Sequence, residues 1–177
     1  MAKINLTTNG FLLRPGITNP QLWSPERPPK AEWDAIRGFV LQRDNYTCRG
    51  CGHRALKFMH VHHVEETGQH APQYLTTICV ACHAVLHIGR SLGLQKIEIW
   101  KSSLSQVEIV QRTREGIKRG RSLAKINKGF KLKVGPYPPD SIQYANDLVD
   151  KMGKTPRAYL DEPWCAVFVD LKRWQIE

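Results

Sequence analysis

The densest chemistry in this chain lies between Cys48 and His87, where four cysteines and all seven histidines fall within 40 positions. The stretch Thr77 to His87, TICVACHAVLH, admits three parses. Cys79-x2-Cys82-His83 has the spacing that attaches a c-type haem. Cys79 and Cys82 could instead be half of a four-cysteine zinc site. His83 and His87, one helical turn apart, could ligate a metal from a single face. Haem attachment needs an oxidising compartment and leaves Cys48-x2-Cys51 unexplained. A two-Cys, two-His finger using Cys48, Cys51, His83 and His87 would leave 31 residues between Cys51 and His83, where that finger has about 12. The four-cysteine parse fits best. Each Cys-x2-Cys turn offers two thiolates on one side, and two turns close a tetrahedron around Zn2+. The 27 residues between Cys51 and Cys79 exceed a zinc-ribbon interval, so the loop should carry structure of its own.

That assignment frees His83 and His87, and the loop supplies His62 and His63. Neighbours on a strand point to opposite faces, so in an extended segment these two cannot do the same job. One can face a metal while the other faces water or substrate. A strand-borne His and a helical His pair, drawn together by the cysteine knot, would make a compact metal site with open positions. Such a site suits phosphodiester hydrolysis, in which a cation offsets charge on the phosphate and a neutral His deprotonates water. Histidine fits the base role because its ordinary pKa is near neutrality. His53, His60 and His70 read as structural or surface residues, and Cys165 as a small buried hydrophobe.

The elements that must position these residues can be read around them. Pro28-Pro29 predicts a helix start, and KAEWDAIRGFVLQRDN continues to about Arg43 with Trp33, Ile36, Phe39 and Val40 on one stripe. ALKFMHVHHV suits a strand, EETGQHAPQ a polar loop, and YLTTI a short strand. VACHAVLHIGRSLG predicts one short helix closed near Gly89 or Gly93. Leu104, Val107, Val110 and Ile117 mark a loose helical stripe to about Arg114, where later glycines weaken continuous helix. DSIQYANDLVDKMGK predicts a helix with Asp140 or Ser141 as N-cap and Gly153 at its end. RAYLDEPWCAVFVDLKRWQIE is apolar enough to pack on a core, as either helix or strand.

The charge balance narrows the partners. Twenty-six Lys and Arg against sixteen Asp and Glu give +10 and a pI near 9.6, the footprint of a nucleic-acid binder. Arg112, Arg114, Lys118, Arg119, Arg121, Lys125, Lys128, Lys131 and Lys133 stand against one acid, Glu115, a net +8 suited to tracking phosphates. No run approaches the roughly 20 apolar residues of a membrane span, and no apolar signal core is visible. The expectation is an intracellular, cytoplasmic protein with reduced thiols and no membrane partner.

The ordered series WDAIRGFVLQRDNYTCRGCG, HVHHV and YLTTICVACHAVLH resembles the HNH endonucleases of the zinc-bearing ββα-metal type. The likeness runs from about Trp33 to His87, about a third of the chain. It implies an α+β fold with a small ββα-metal core, a structural zinc on Cys48, Cys51, Cys79 and Cys82, and a catalytic Mg2+ or Mn2+. His62 and His83 would be ligands of that cation and His87 a further ligand or phosphate contact. His63 would be the general base. The family cuts nucleic acid, usually DNA, leaving 5′-phosphate and 3′-hydroxyl ends. One position departs: the Asn that in the family orients the base lies nine residues before His83, where this chain has Tyr74. A tyrosine hydroxyl can hydrogen-bond, but without an amide's paired donor and acceptor.

The expected organisation is an extended Pro-rich arm (1–29), a nuclease core (30–100) and a basic, partly helical DNA-binding region (101–177). The last has a looser resemblance to the linker and DNA-binding end of serine recombinases. The resemblances imply a restriction, homing or phage-associated enzyme of prokaryotic or phage origin acting on double-stranded DNA. A double-strand cutter with one site per chain is most simply a homodimer. The alternative is a non-catalytic, zinc-stabilised nucleic-acid-binding module.

Overall fold

The computed structural model describes residues 11–17, 28–64, 69–137, 142–154, 164–170 and 174. It is an α+β arrangement with two antiparallel strand pairs and six α-helices among those residues. Helix α1 (Lys30–Arg43) begins directly after Pro29, whose fixed φ and missing N–H suit a helix entry. Glu32 in its first turn and Arg43 in its last complement the helix dipole. Of the predicted stripe, Val40 is buried and Trp33 and Ile36 half-buried, with Leu41 buried beside them, whereas Phe39 is 56% exposed. The face turned to the rest of the protein also carries Arg37 and Asp44, polar anchors that an apolar pattern does not register. Arg37 donates to the Met59 carbonyl at 2.8 Å.

Strands β1 (Met59–His63) and β2 (Leu75–Cys79) pair antiparallel, with His60 opposite Ile78, His62 opposite Thr76 and His63 opposite Leu75. A 3-10 turn at Pro72–Tyr74 leads into β2. Helix α1 grips this hairpin from its C-terminal end. Arg43 donates to the carbonyls of Pro72 (2.7 Å) and Leu75 (2.8 Å), and Asp44 accepts from Arg43 and from the Thr77 N–H at 2.8 Å. Burial opposes ionisation of Asp44, but its hydrogen bonds with Arg43 and Thr77 outweigh that and hold its carboxyl below the usual range. Asp44→Ala should therefore cost about 1–3 kcal/mol, the loss of a half-buried charged acceptor, read from the urea midpoint at neutral pH. The folded pKa lies below the unfolded one, so this contribution is present above the ordinary value of 3.8 and fades as pH falls through the folded value. The gap between wild type and variant should close on acidification.

Helix α2 (Val80–Leu86) follows β2 without a loop. The single helix expected across 80–93 is two: His87, at φ −126° and ψ 62°, separates α2 from α3 (Ile88–Gly93). The extended segment 11–17 lies at the break. Gly16 donates to the Val85 carbonyl at 3.0 Å and accepts from the Ile88 N–H at 2.9 Å. Its residues Phe11 and Leu13 are buried. This part of the predicted N-terminal arm is therefore packed into the core.

A second antiparallel pair joins β3 (Ile97–Lys101) to β4 (Trp164–Phe168), so within the C-terminal apolar stretch the segment Trp164–Phe168 is strand. The expected division between residues 100 and 101 falls inside β3, whose partner strand lies at Trp164–Phe168. Helix α4 (Gln106–Lys118) starts at a capping box of Ser105 and Glu108 and runs four residues past Arg114. Its first residue is buried and pairs twice with Ala166, donating to the carbonyl and accepting from the N–H. Helix α5 (Leu123–Lys128) packs closely on α4, because a Cβ at Gly116 would come within 2.5 Å of Ile126. Helix α6 (Ile142–Lys154) buries Tyr144, Ala145 and Leu148. The N-caps expected at Asp140 or Ser141 lie outside the described residues.

Candidate metal centres

Among the described residues, two groups of side chains that could hold a metal ion are assembled by the β1–β2–α2 unit and the turn before it. The first is Cys48, Cys51, Cys79 and Cys82, all buried, with their sulfurs within 4.8 Å of one another. The 47–54 turn brings in the first pair. The Cys48 N–H donates to the His53 carbonyl and the Gly52 N–H to the Cys48 carbonyl, both at 2.8 Å. Gly52 has φ +77°, a conformation that glycine adopts without strain. Gly50 is also required small: a Cβ there would stand 3.1 Å from the Cys82 sulfur. The second pair lies at the β2–α2 junction, where Cys79 caps α2 and its Sγ accepts from the Cys82 N–H at 3.5 Å.

The geometry fits a tetrahedral ion. At the usual Zn–S length of about 2.3 Å, the sulfur–sulfur edge of a ZnS4 tetrahedron is about 3.8 Å. Cys51 Sγ and Cys79 Sγ are 3.7 Å apart. The electrostatics agree. Hydrogen bonds from Cys48, then from Cys79 and Cys82, hold Cys51 far below the ordinary thiol range, while burial and the neighbouring cysteines push Cys82 well above it. Such a crowd of thiols cannot ionise together without a cation, and a divalent metal removes the conflict. Cys165 lies outside the group, and burial raises its thiol to about 11, as expected of an inert core cysteine.

The second group is His62 from β1 with His83 and His87 from the end of the adjoining helix. Their nearest ring nitrogens lie within 4.8 Å of one another, and His62 Nδ1 is 3.2 Å from His87 Nε2. The rings of His83 and His87 have centroids 4.6 Å apart. Burial, then the charges of His87 and His63, pushes His62 down to about 3; burial, then His60 and His63, lowers His87. Neutral imidazoles are the ligating form. Three of them suit Zn2+ or Ni2+ best; Mn2+, the weakest of the first-row ions for nitrogen donors, accepts them less readily, and Mg2+ prefers an oxygen shell. The donor set is thus a poor match for Mg2+.

His63 is turned elsewhere. Its ring is nearly parallel to that of Trp33 of α1, with centroids 6.3 Å apart, and its Nε2 is 3.1 Å from His70 Nδ1. Period-two alternation along β1 separates it from the His62 triad. His60, on the same side as His62, stacks on His83 with centroids 4.6 Å apart. Two histidines read as structural or surface therefore touch the predicted site residues. His70 was not legible in this role, because a loop position has no periodicity that aims it. Tyr74 contributes main chain: its carbonyl accepts from the N–H of Val64, the residue after His63, at 2.8 Å.

The basic segment divides into inward and outward cations. Arg112, Lys118, Arg119, Arg121, Lys125, Lys128, Lys131 and Lys133 are exposed. Arg112 pairs with Glu108 and Arg119 with Glu115. A groove of about 510 Å³ between α4 and α5 is walled by Arg112, Arg119, Arg121 and Lys125 over Ile126 and Phe130. Arg114 departs from the expectation. It is 7% exposed and donates to Cys79 Sγ at 3.4 Å, so it is committed inside the protein rather than offered to a phosphate. No described helix is long and apolar enough to cross a membrane. No protein-family model and no curated protein matches this chain.

Proposed function

We propose that this protein is a metal-dependent endonuclease of the HNH type that hydrolyses phosphodiester bonds in double-stranded DNA. The observation that carries the reading is the convergence of His62, His83 and His87 on one point, with His63 next in sequence and a four-cysteine cluster alongside. His62, His83 and His87 would hold the catalytic cation. When bound, such a cation offsets charge on the scissile phosphate and the departing oxygen. Of the candidates in the sequence reading, Mn2+ is preferred to Mg2+ on the imidazole donors alone.

His63 would take the proton from the attacking water. For Nδ1 to be the accepting atom, the neutral ring must carry its hydrogen on Nε2 and donate it to His70 Nδ1. Trp33 and His70 would then hold the base in plane, the task that the family gives to an Asn at the Tyr74 position. The exposed cations of α4, α5 and the segment to Lys133 would track the DNA backbone.

The engagement of His63 by His70 also favours a second reading, a zinc-stabilised DNA-binding module without catalysis. A supercoiled-plasmid assay with the full chain in Mn2+, Ni2+, Mg2+ or EDTA separates the two. Nicked or linear product with Mn2+ or Ni2+, little with Mg2+ and none with EDTA is the expected result. Retention of the plasmid without cleavage under every metal condition would leave only the binding module.

A further inference from the structure

The cysteine cluster touches more than its own turns. Helix α4 lies far downstream in sequence, yet two of its side chains reach the cluster. Gln111 Nε2 donates to the Cys51 carbonyl at 2.9 Å, and Arg114 Nη2 donates to Cys79 Sγ at 3.4 Å. The Arg114 guanidinium also lies 5.1 Å from the ring centre of Trp174, which meets Phe168 of β4 edge-on with centroids 4.8 Å apart. A continuous line of contact therefore runs from the β2–α2 junction through α4 to β4. The outer side of the same helix presents Arg112 and Lys118, and Gly116 lets α5 sit against it.

Burying a guanidinium is costly unless it meets an anion with a good hydrogen bond. A thiolate sulfur is such a partner, and the bond is charge-assisted; a neutral thiol is a weak acceptor. Four thiolates around one divalent cation carry a net charge of minus two, so a cationic donor at their edge is favourable. We infer that Arg114 is the residue through which the metal-loaded cysteine cluster holds α4, so that occupancy of the cluster sets the placement of the basic α4–α5 surface. The cluster is then a docking post between the two halves of the chain as well as a staple within the first. This goes beyond the nuclease reading and does not depend on it, since no DNA or cleavage enters the argument.

The test uses the full chain loaded with Zn2+ or Co2+ and the variants Arg114→Met and Arg114→Lys. Arg114→Met should lose zinc to a competing chelator at about tenfold lower chelator concentration, the usual scale for removing an outer hydrogen bond to a metal ligand. With Co2+ bound, its thiolate-to-metal charge-transfer band should move to lower energy, because the sulfur has lost a donor that stabilised its lone pair. Amide exchange in residues 106–128 of the loaded variant should speed up. Arg114→Lys should recover part of each change. Unchanged zinc retention, an unmoved cobalt band or wild-type exchange in α4 each overturns the inference. If Arg114→Met does not fold, Arg114→Lys carries the same three readouts, with smaller shifts in the same direction expected and wild-type values overturning the inference; Gln111→Ala, which loses a bond to the Cys51 carbonyl and none to a sulfur, is the control and should leave the cobalt band unmoved.

Discussion

With zinc held at the four cysteines, Cys79→Ser is expected to release it and to unfold the β1–β2–α2 unit, so that the variant shows no cooperative thermal transition above room temperature. Four roles meet at this sulfur. Cys79 is fully buried, it ends β2, it caps α2 by accepting from the Cys82 N–H, and it accepts from Arg114. Binding of a structural zinc contributes about 10–16 kcal/mol to small metallodomains, while whole domains are stable by about 5–15 kcal/mol. Loss of one ligand is therefore comparable with the entire stability of the unit. Metal content by mass spectrometry and thermal melts followed by circular dichroism check this, with chelator treatment of the wild type expected to reproduce the variant. Cys165→Ala is the control and should keep its zinc, since that thiol lies outside the cluster. A Cys79→Ser protein that retains zinc and melts within a few degrees of wild type would overturn the structural role.

The second large effect concerns His63. If His63 is the base, His63→Ala should slow cleavage by about 10²–10⁴-fold, the range for removing a positioned general base. Zinc content, the far-UV spectrum and retention of DNA should match wild type, because His63 lies outside both metal groups. His62→Ala would be expected to lose cleavage through a different route, the binding of the second metal, and that defect should show in Mn2+ or Ni2+ titration. Undiminished cleavage by His63→Ala would sink the assignment of the base, and with it the nuclease mechanism as drawn.

Both tests fall on residues that the sequence already exposes. Two Cys-x2-Cys turns, a His-His pair and a His-x3-His step are local patterns. Their geometry follows from the turn, the strand period and the helix pitch, and needs little knowledge of the rest of the chain. The strand, strand and helix that carry them were legible for the same reason: MHVHH, LTTIC and VACHAVL each declare their type over a few residues. The strand bounds shifted by up to four positions, to Met59–His63 and Leu75–Cys79, while the helix expected to close near Gly89 or Gly93 ends at Leu86.

What the sequence could not convey were choices made across long separations. Gly16 meets Val85 and Ile88, and the helix read through 80–93 is broken beside them at His87. Arg37 and Asp44 face inward because hairpin backbone groups lie there, so the buried side of α1 combines its apolar residues with polar anchors that an apolar pattern does not register. His70 reaches His63 and His60 reaches His83, contacts set by the hairpin and the packing of α2. Arg114 gives the clearest case. In sequence it is one cation among nine in a basic run, and composition alone assigns all nine to a phosphate backbone. Only the packing of α4 on the cysteine cluster turns it inward, 35 positions from the sulfur it meets. Ligand spacing is settled by local chain geometry, and so is readable in order along the chain. The destination of a long charged side chain depends on which buried partner the fold brings within reach, and only the tertiary structure decides that.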